Sequence, residues 1–254
     1  MLYFIFLLFA FIAELIDGGI GMGYGVSLTT MLLSIGVGTA MSSAVVHFSE
    51  VFTSLVSGSS HFRIGNFDKK IFKFLAIPGI IGGVFGAYVA VRAQNLFFLR
   101  PAISFVLLFL GFLIIVKFLN KNDPLKHTYD VPRIRKLMPL GFIAAFIDAI
   151  GGGGWGPITT PTLIAGNGDP KKTIGSVNAA EFFITLSISA TFLLSLRAID
   201  WKIVFPLLLG GIIAAPIAAL LTNKLPEKIV GISVGISIII LSLRTILISF
   251  GILS

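Results

Sequence analysis

The chain has 254 residues, 56% of them apolar and only 12% charged, with a net charge of +8 and a mean hydropathy of +1.02. A soluble domain carries about 25% charged residues, so half the expected charge is missing and lipid is the expected solvent; the basic excess then belongs to cytoplasmic loops rather than to a nucleic-acid surface. The absence of cysteine excludes disulfides and thiolate metal sites, and no polar stretch beyond the middle loop leaves room for a separate soluble domain.

In chain order, ten apolar segments are predicted: 2–16, 24–35, 40–60, 72–94, 99–118, 136–148, 155–165, 173–196, 202–223 and 226–250. Blocks such as Ile103–Val116 and Ile229–Leu241 are apolar all round, unlike a soluble core helix with one polar face. The first segment has no basic leader and no A-x-A site, and an apolar stretch recurs at Met138–Ile150; it is read as part of the fold, not as a signal peptide. Crossing a bilayer takes about 20 helical residues. The segments 40–60, 72–94, 99–118, 173–196, 202–223 and 226–250 are long enough, whereas 2–16 spans only about 22 Å and 24–35 about 18 Å. These short pieces flank Gly-rich breaks at Gly18–Gly25 and Gly151–Gly156.

The two breaks align at a constant offset of 131. Asp17 then matches Asp148, Gly21 matches Gly152, and Gly23-Tyr24-Gly25 matches Gly154-Trp155-Gly156. Thr29 matches Thr160, His47 matches Asn178, Glu50 matches Glu181 and Phe52 matches Phe183; one residue further out of step, Gly79-Ile80-Ile81 matches Gly211-Ile212-Ile213. Chance aligns Gly and Leu in so biased a chain far more readily than it aligns two intramembrane carboxylates, so the chain is read as a duplication. The expected fold is an all-α polytopic bundle of two repeats, 1–118 and 136–254, joined by a basic linker, 119–135. Each repeat has two short helices about its break and three full spans. Five is odd, so the second repeat is inverted. Arg63, Lys69, Lys70, Lys73, Lys117, Lys121, Lys126, Arg133, Arg135, Lys136, Lys171, Lys172, Lys224 and Lys228 fall on one side; Arg92, Arg100, Arg197, Lys202 and Arg244 fall on the other. That places the central loop in the cytoplasm and both termini outside. Tilted short spans and re-entrant hairpins fit these charges equally.

Of the eleven carboxylates, Glu14, Asp17, Glu50, Asp148 and Glu181 lie in or beside apolar segments. A charge at mid-membrane costs about 2.5–3.5 kcal/mol on insertion scales, so such groups face a cavity or a partner. Asp17 and Asp148 fit either helix capping beside the breaks or proton coupling. Glu14 is opposite Ala145 in the other half and is given a local role. Ser43, His47 and Glu50 stand at i, i+4 and i+7 on one helix face, and Asn178, Glu181 and Thr185 share a stripe on the matching helix. Groups that take up and release protons on facing helices suit proton coupling, assigned here to Glu50, Glu181, His47, Asp17 and Asp148; the structural alternative is interhelical hydrogen bonding.

The breaks carry the second constellation. An interrupted helix offers unpaired N–H groups and the positive pole of its dipole to an anion, and glycine lets backbone approach the ligand. Paired interrupted helices at a repeat interface are a transporter arrangement; close packing is the alternative role for the glycines. The candidate substrate residues are Gly21, Gly23, Tyr24, Gly25, Thr29, Ser43, Gly152, Gly154, Trp155, Gly156, Thr159, Thr160 and Asn178. Gly-Met-Gly-Tyr-Gly lacks the Thr-Val of a potassium filter, no strand precedes a GxGxxG, and no Gly-Lys-Ser/Thr of an ATPase occurs. No cofactor and no resident metal is expected. Two rivals stay open. One is a cation or metal-ion transporter using Glu50, Glu181 and His47; the other is an intramembrane aspartyl protease using Asp17 and Asp148.

An apolar first helix, a Gly-rich break with G-x-G-x-G followed by Thr, a basic central loop and a second copy in register resemble the TauE/SafE family of sulfite and sulfonate exporters, over essentially the whole chain. The resemblance implies a multi-pass protein of a bacterial or archaeal inner membrane that moves small sulfur anions such as sulfite, sulfoacetate or thiosulfate, with proton coupling. It implies that Gly21–Gly25 and Gly152–Gly156 line the substrate site with Glu50 and Glu181 beside it. A carboxylate repels a neighbouring anion unless protonated, so anion and proton would bind together. Partners are therefore expected to be that anion, protons and lipid, with no nucleic acid.

Overall fold

The computed structural model describes residues 2–93, 98–119, 137–165, 169–196, 199–221 and 227–253. Its helices in chain order are α1 (Leu2–Ile20), α2 (Tyr24–Ser34), α3 (Thr39–Arg63), α4 (Lys69–Ala93), α5 (Leu99–Leu119), α6 (Leu137–Gly151), α7 (Trp155–Ala165), α8 (Pro170–Ser195), α9 (Trp201–Leu221) and α10 (Glu227–Ser249). They match the ten predicted segments, and among the described residues all regular structure is helical. By length and composition Tyr3–Ile20, Lys69–Ala93, Lys171–Ser195 and Trp201–Leu221 can each cross a membrane. Most of the central linker, with its basic residues, lies outside the described residues.

The first segment departs from expectation. It runs to Ile20 rather than residue 16, 19 residues in all, or about 28 Å at the helical rise. Gly18 and Gly19 read as part of the break, yet both are helical. Gly18 packs too tightly to carry a side chain, since a Cβ there would lie 2.6 Å from Ala218 Cβ. The true interruptions are short, residues 21–23 and 152–154, and each opens on a glycine with positive φ, 75° at Gly21 and 67° at Gly152. An L side chain resists that backbone.

Small residues set the helix pairing. On α4, Gly79 and Gly83 admit Ile184 and Ile188 of α8, while Gly82 and Gly86 receive the backbone of Phe142 and Phe146 on α6. On α9, Gly210 meets the Leu7 carbonyl of α1 and Gly211 meets Thr53 of α3. Without a hydrophobic force between helices in lipid, such close approach is what holds them together. The pairings come in twos under the 131 offset: α1 with α9 and α6 with α4, α3 with α9 and α8 with α4, and α3 with α8 and α5 with α10, each with its own counterpart. Polarity is distributed inside-out relative to a soluble protein. Phe85, Phe109, Leu209 and Ile213 face outward, while His47, Glu50, Asp148 and a run of Ser and Thr side chains are buried. Helix α3 holds more of that buried polarity than any other described helix and lies against α8 and α9.

Candidate functional site

The two breaks meet. The Thr29 hydroxyl of α2 donates to the Gly152 carbonyl, and in return Thr160 of α7 donates to the Gly21 carbonyl at 2.7 Å. A Cβ on Gly25 would lie 3.1 Å from Gly152 O, and one on Gly156 would lie 2.8 Å from Gly21 O. Residue i of one half thus meets residue j of the other, and j meets i, as in a two-fold interface.

Each aspartate closes its own break. The Tyr24 N–H donates to Asp17 Oδ1 at 3.2 Å, and the Trp155 N–H donates to Asp148 Oδ1 at the same distance. The capping alternative is therefore realised at both positions, from the preceding helix rather than from the N-cap residue, which is Gly23 in α2. Beyond this the halves differ. The next N–H groups of α2 belong to Gly25 and Val26, whose helical acceptors would lie before the helix begins. The matching positions of α7 are Gly156 and Pro157, and proline has no N–H. Helix α2 thus has two such N–H groups where α7 has one, the Val26 nitrogen being packed against Gly153.

Over the α2 end sits Glu50: its Oε1 would lie 2.8 Å from a Cβ on Gly25. His47 stands beside it, Nε2 being 4.0 Å from Glu50 Oε2 and 3.0 Å from Asp148 Oδ2. His47 Nδ1 is 2.7 Å from the Ser43 carbonyl. A carbonyl only accepts, so Nδ1 supplies the hydrogen of that contact, and Nε2 faces the Asp148 carboxyl group. The Ser43 hydroxyl donates to the Ala149 carbonyl at 2.6 Å, which ties α3 to the end of α6. Glu50 and Glu181 lie within electrostatic range of one another and of Asp17, Asp148 and Glu14. All five membrane carboxylates are buried.

Several predicted ligand donors are engaged within the protein. Tyr24 Oη is 3.1 Å from both Ser49 Oγ and the Leu207 carbonyl, and Trp155 Nε1 donates to the Val177 carbonyl at 3.2 Å. These rings pin the short helices to α3, α9 and α8. Thr159 donates to its own helix at Trp155 O, and Asn178 Nδ2 donates to Ser57 Oγ at 2.9 Å. Thr185 donates to the Glu181 carbonyl at 2.8 Å. Gly154 packs on Asp148, where a Cβ would lie 3.3 Å from its backbone nitrogen. Among the described residues no three His, Asp or Glu side chains close on a common point fit for a metal ion.

Glu14, given only a local role from the sequence, is 2% exposed, and among the described residues its Oε1 has no hydrogen-bond partner. One contact escaped the sequence reading. Arg244 of α10 donates to the Ser34 carbonyl at the end of α2, and so caps the C-terminus of the same half-helix. No local pattern links residues so far apart.

Comparison with known proteins places the chain in a family. The family model for Sulfite exporter TauE/SafE matches residues 6–245. The chain is similar to the probable membrane transporter protein YtnM of Bacillus subtilis (strain 168), 45% identical over 95% of this chain and 82% of the relative. It is also similar to the probable membrane transporter protein YdhB of the same organism, 23% identical over 84% of this chain and 86% of the relative. No solved structure matches it. With matching helices, paired breaks and a family match over nearly its whole length, the chain belongs to the TauE/SafE family of membrane transporters.

Proposed function

We propose that the chain is a secondary transporter of small sulfur-containing anions of the sulfite, sulfonate or thiosulfate type, coupled to protons and working by alternating access between two inverted repeats. The observation that carries this reading is the seat of Glu50 at the N-terminus of α2, beside the Gly25 and Val26 N–H groups that lack helical acceptors. A helix N-terminus favours an anion. An anionic substrate entering there must share the place with Glu50, and it can do so at low electrostatic cost once Glu50 carries a proton. His47 Nε2 lies 4.0 Å from Glu50 Oε2 and 3.0 Å from Asp148 Oδ2, a chain of contacts along which a proton can reach Glu50. The sulfur anion itself is suggested by the family description. The orientation follows the charge distribution: basic ends of α3, α4 and α8 in the cytoplasm, both termini outside, in an inner membrane.

The test is thermal stability of the detergent-purified protein against sulfite, sulfate, thiosulfate, sulfoacetate, chloride and divalent cations at two pH values. Stabilisation by a sulfur oxyanion, stronger at the lower pH, is the expected result. Stabilisation by divalent cations alone would move Glu50, Glu181 and His47 into a cation site and overturn the reading.

A further inference from the structure

A cleft of about 400 Å³ opens between α3, α4 and α8, with none of the break residues in its lining. One wall is a continuous run of phenyl rings. Phe62 meets Phe67 at 5.2 Å between centroids, Phe67 meets Phe72 at 5.6 Å, Phe72 meets Phe183 at 5.6 Å and Phe183 meets Phe182 at 4.9 Å. Edge and tilted contacts of this kind fix the rings relative to one another, so the wall is formed without a ligand. Ser59 and Arg63 also line the cleft, and both are exposed.

Arg63 has no carboxylate partner among the described residues. The nearest acid along the chain, Asp68, accepts the N–H groups of Lys70 and Ile71 and so caps α4. Arg63 is the one basic residue among the described residues that line the cleft, and lysines cluster at the starts of the two helices it adjoins. Lys69, Lys70 and Lys73 begin α4, and the exposed Lys171 begins α8. The Asp68 N–H, donating to Ser176 Oγ at 2.7 Å, holds these two helix starts together. An open slot with an aromatic wall, facing outward from a membrane bundle and lined by an exposed arginine with no carboxylate partner among the described residues, has the chemistry of a lipid: apolar chain along the rings, phosphate at the arginine. Guanidinium matches phosphate with paired N–H donors, and basic pockets between membrane helices recognise anionic headgroups. A small hydrated oxyanion has no use for five phenyl rings.

We propose that this cleft is a binding site for an anionic phospholipid, one acyl chain lying against Phe62, Phe67, Phe72, Phe182 and Phe183 and the headgroup phosphate paired with Arg63. The site is independent of the transported substrate.

Native mass spectrometry of the full chain in detergent, with phosphatidylglycerol, phosphatidylcholine or glycerol phosphate added, tests it. Phosphatidylglycerol is expected to be retained about tenfold better than phosphatidylcholine, with Arg63→Gln removing that preference. Ser59→Trp, at an exposed position on the cleft, is expected to fill the slot and abolish retention of either lipid. The melting temperature of both variants checks that they are folded. Equal retention of the two lipids, a preference unchanged in Arg63→Gln or lost only in Lys69→Gln, or lipid retention unaffected by Ser59→Trp would each overturn the proposal. Displacement of the lipid by glycerol phosphate at equal concentration would do so too, by making the site one for soluble anions.

Discussion

His47 is the residue on which the two halves differ most. It faces Asp148 at 3.0 Å, whereas its counterpart Asn178 turns to Ser57. Loss of a cap costs about 1 kcal/mol, and leaving a buried partner unsatisfied adds about 1–3 kcal/mol. Asp148→Ala incurs both penalties, and Asp17→Ala is expected to incur mainly the first. Asp17→Asn keeps an acceptor for the Tyr24 N–H and is expected to be near neutral. Thermal unfolding of the three variants checks the order, and an equal loss in Asp17→Ala and Asp148→Ala would remove His47 from the account. At Glu50, substitution by Gln keeps the shape and removes the titration. Transport by Glu50→Gln is expected to lose its dependence on pH while anion binding persists, because the neutral amide mimics the protonated acid; Glu181→Gln is expected to show the same loss. An unaltered pH profile in both would contradict the assignment. At this scale the sequence was only half legible. Register and face of Ser43, His47 and Glu50 follow from helical spacing. Spacing does not tell whether a hydroxyl or ring N–H faces a ligand or a carbonyl, and Thr29, Thr160, Tyr24 and Trp155 all proved to be engaged with protein groups.

Among elements, α2 and α7 look alike in sequence but are unequal anion ends. Val26→Pro would give α2 the Gly-Pro start that α7 already tolerates at Gly156-Pro157 and would remove one donor. A hydrogen bond to an anion is worth about 1.5–3 kcal/mol, so sulfur-anion affinity is expected to fall at least tenfold in titrations of Val26→Pro. Val26→Ala is expected to leave it unchanged. Equal affinity in Val26→Pro would move the anion away from α2. Packing has its own test. A Cβ on Gly141 would lie 2.7 Å from Leu75 O, whereas one on Gly38 meets nothing within 4 Å. Gly141→Ala is expected to destabilise by about 1–3 kcal/mol and Gly38→Ala to be silent, as read by melting temperature. The misjudged end of α1 has the same origin. Glycine signals a break and a close contact with the same letter, and only the Ala218 contact at Gly18 decides between them.

For the whole molecule, the ten segments were visible because lipid demands long apolar runs, and the offset of 131 because matching residues keep one spacing along the chain. The pairing of α1 with α9 and of α6 with α4 was not visible, since it depends on glycines such as Gly210 and Gly82 meeting backbone far along the chain. Nor did the sequence reveal that the threonines after each break bond to the opposite break. These crossed bonds make the two half-helices one unit, so an anion bound at α2 would bear on both halves. The most direct test of the central claim, that anion and proton share the Glu50 site, is sulfite flux into proteoliposomes loaded with a pH-sensitive dye. The account predicts a sulfite-driven change in internal pH that exceeds that of protein-free vesicles and disappears in Glu50→Gln while sulfite movement remains. Sulfite movement with no proton movement in the wild type, or an identical pH change in Glu50→Gln, would contradict it.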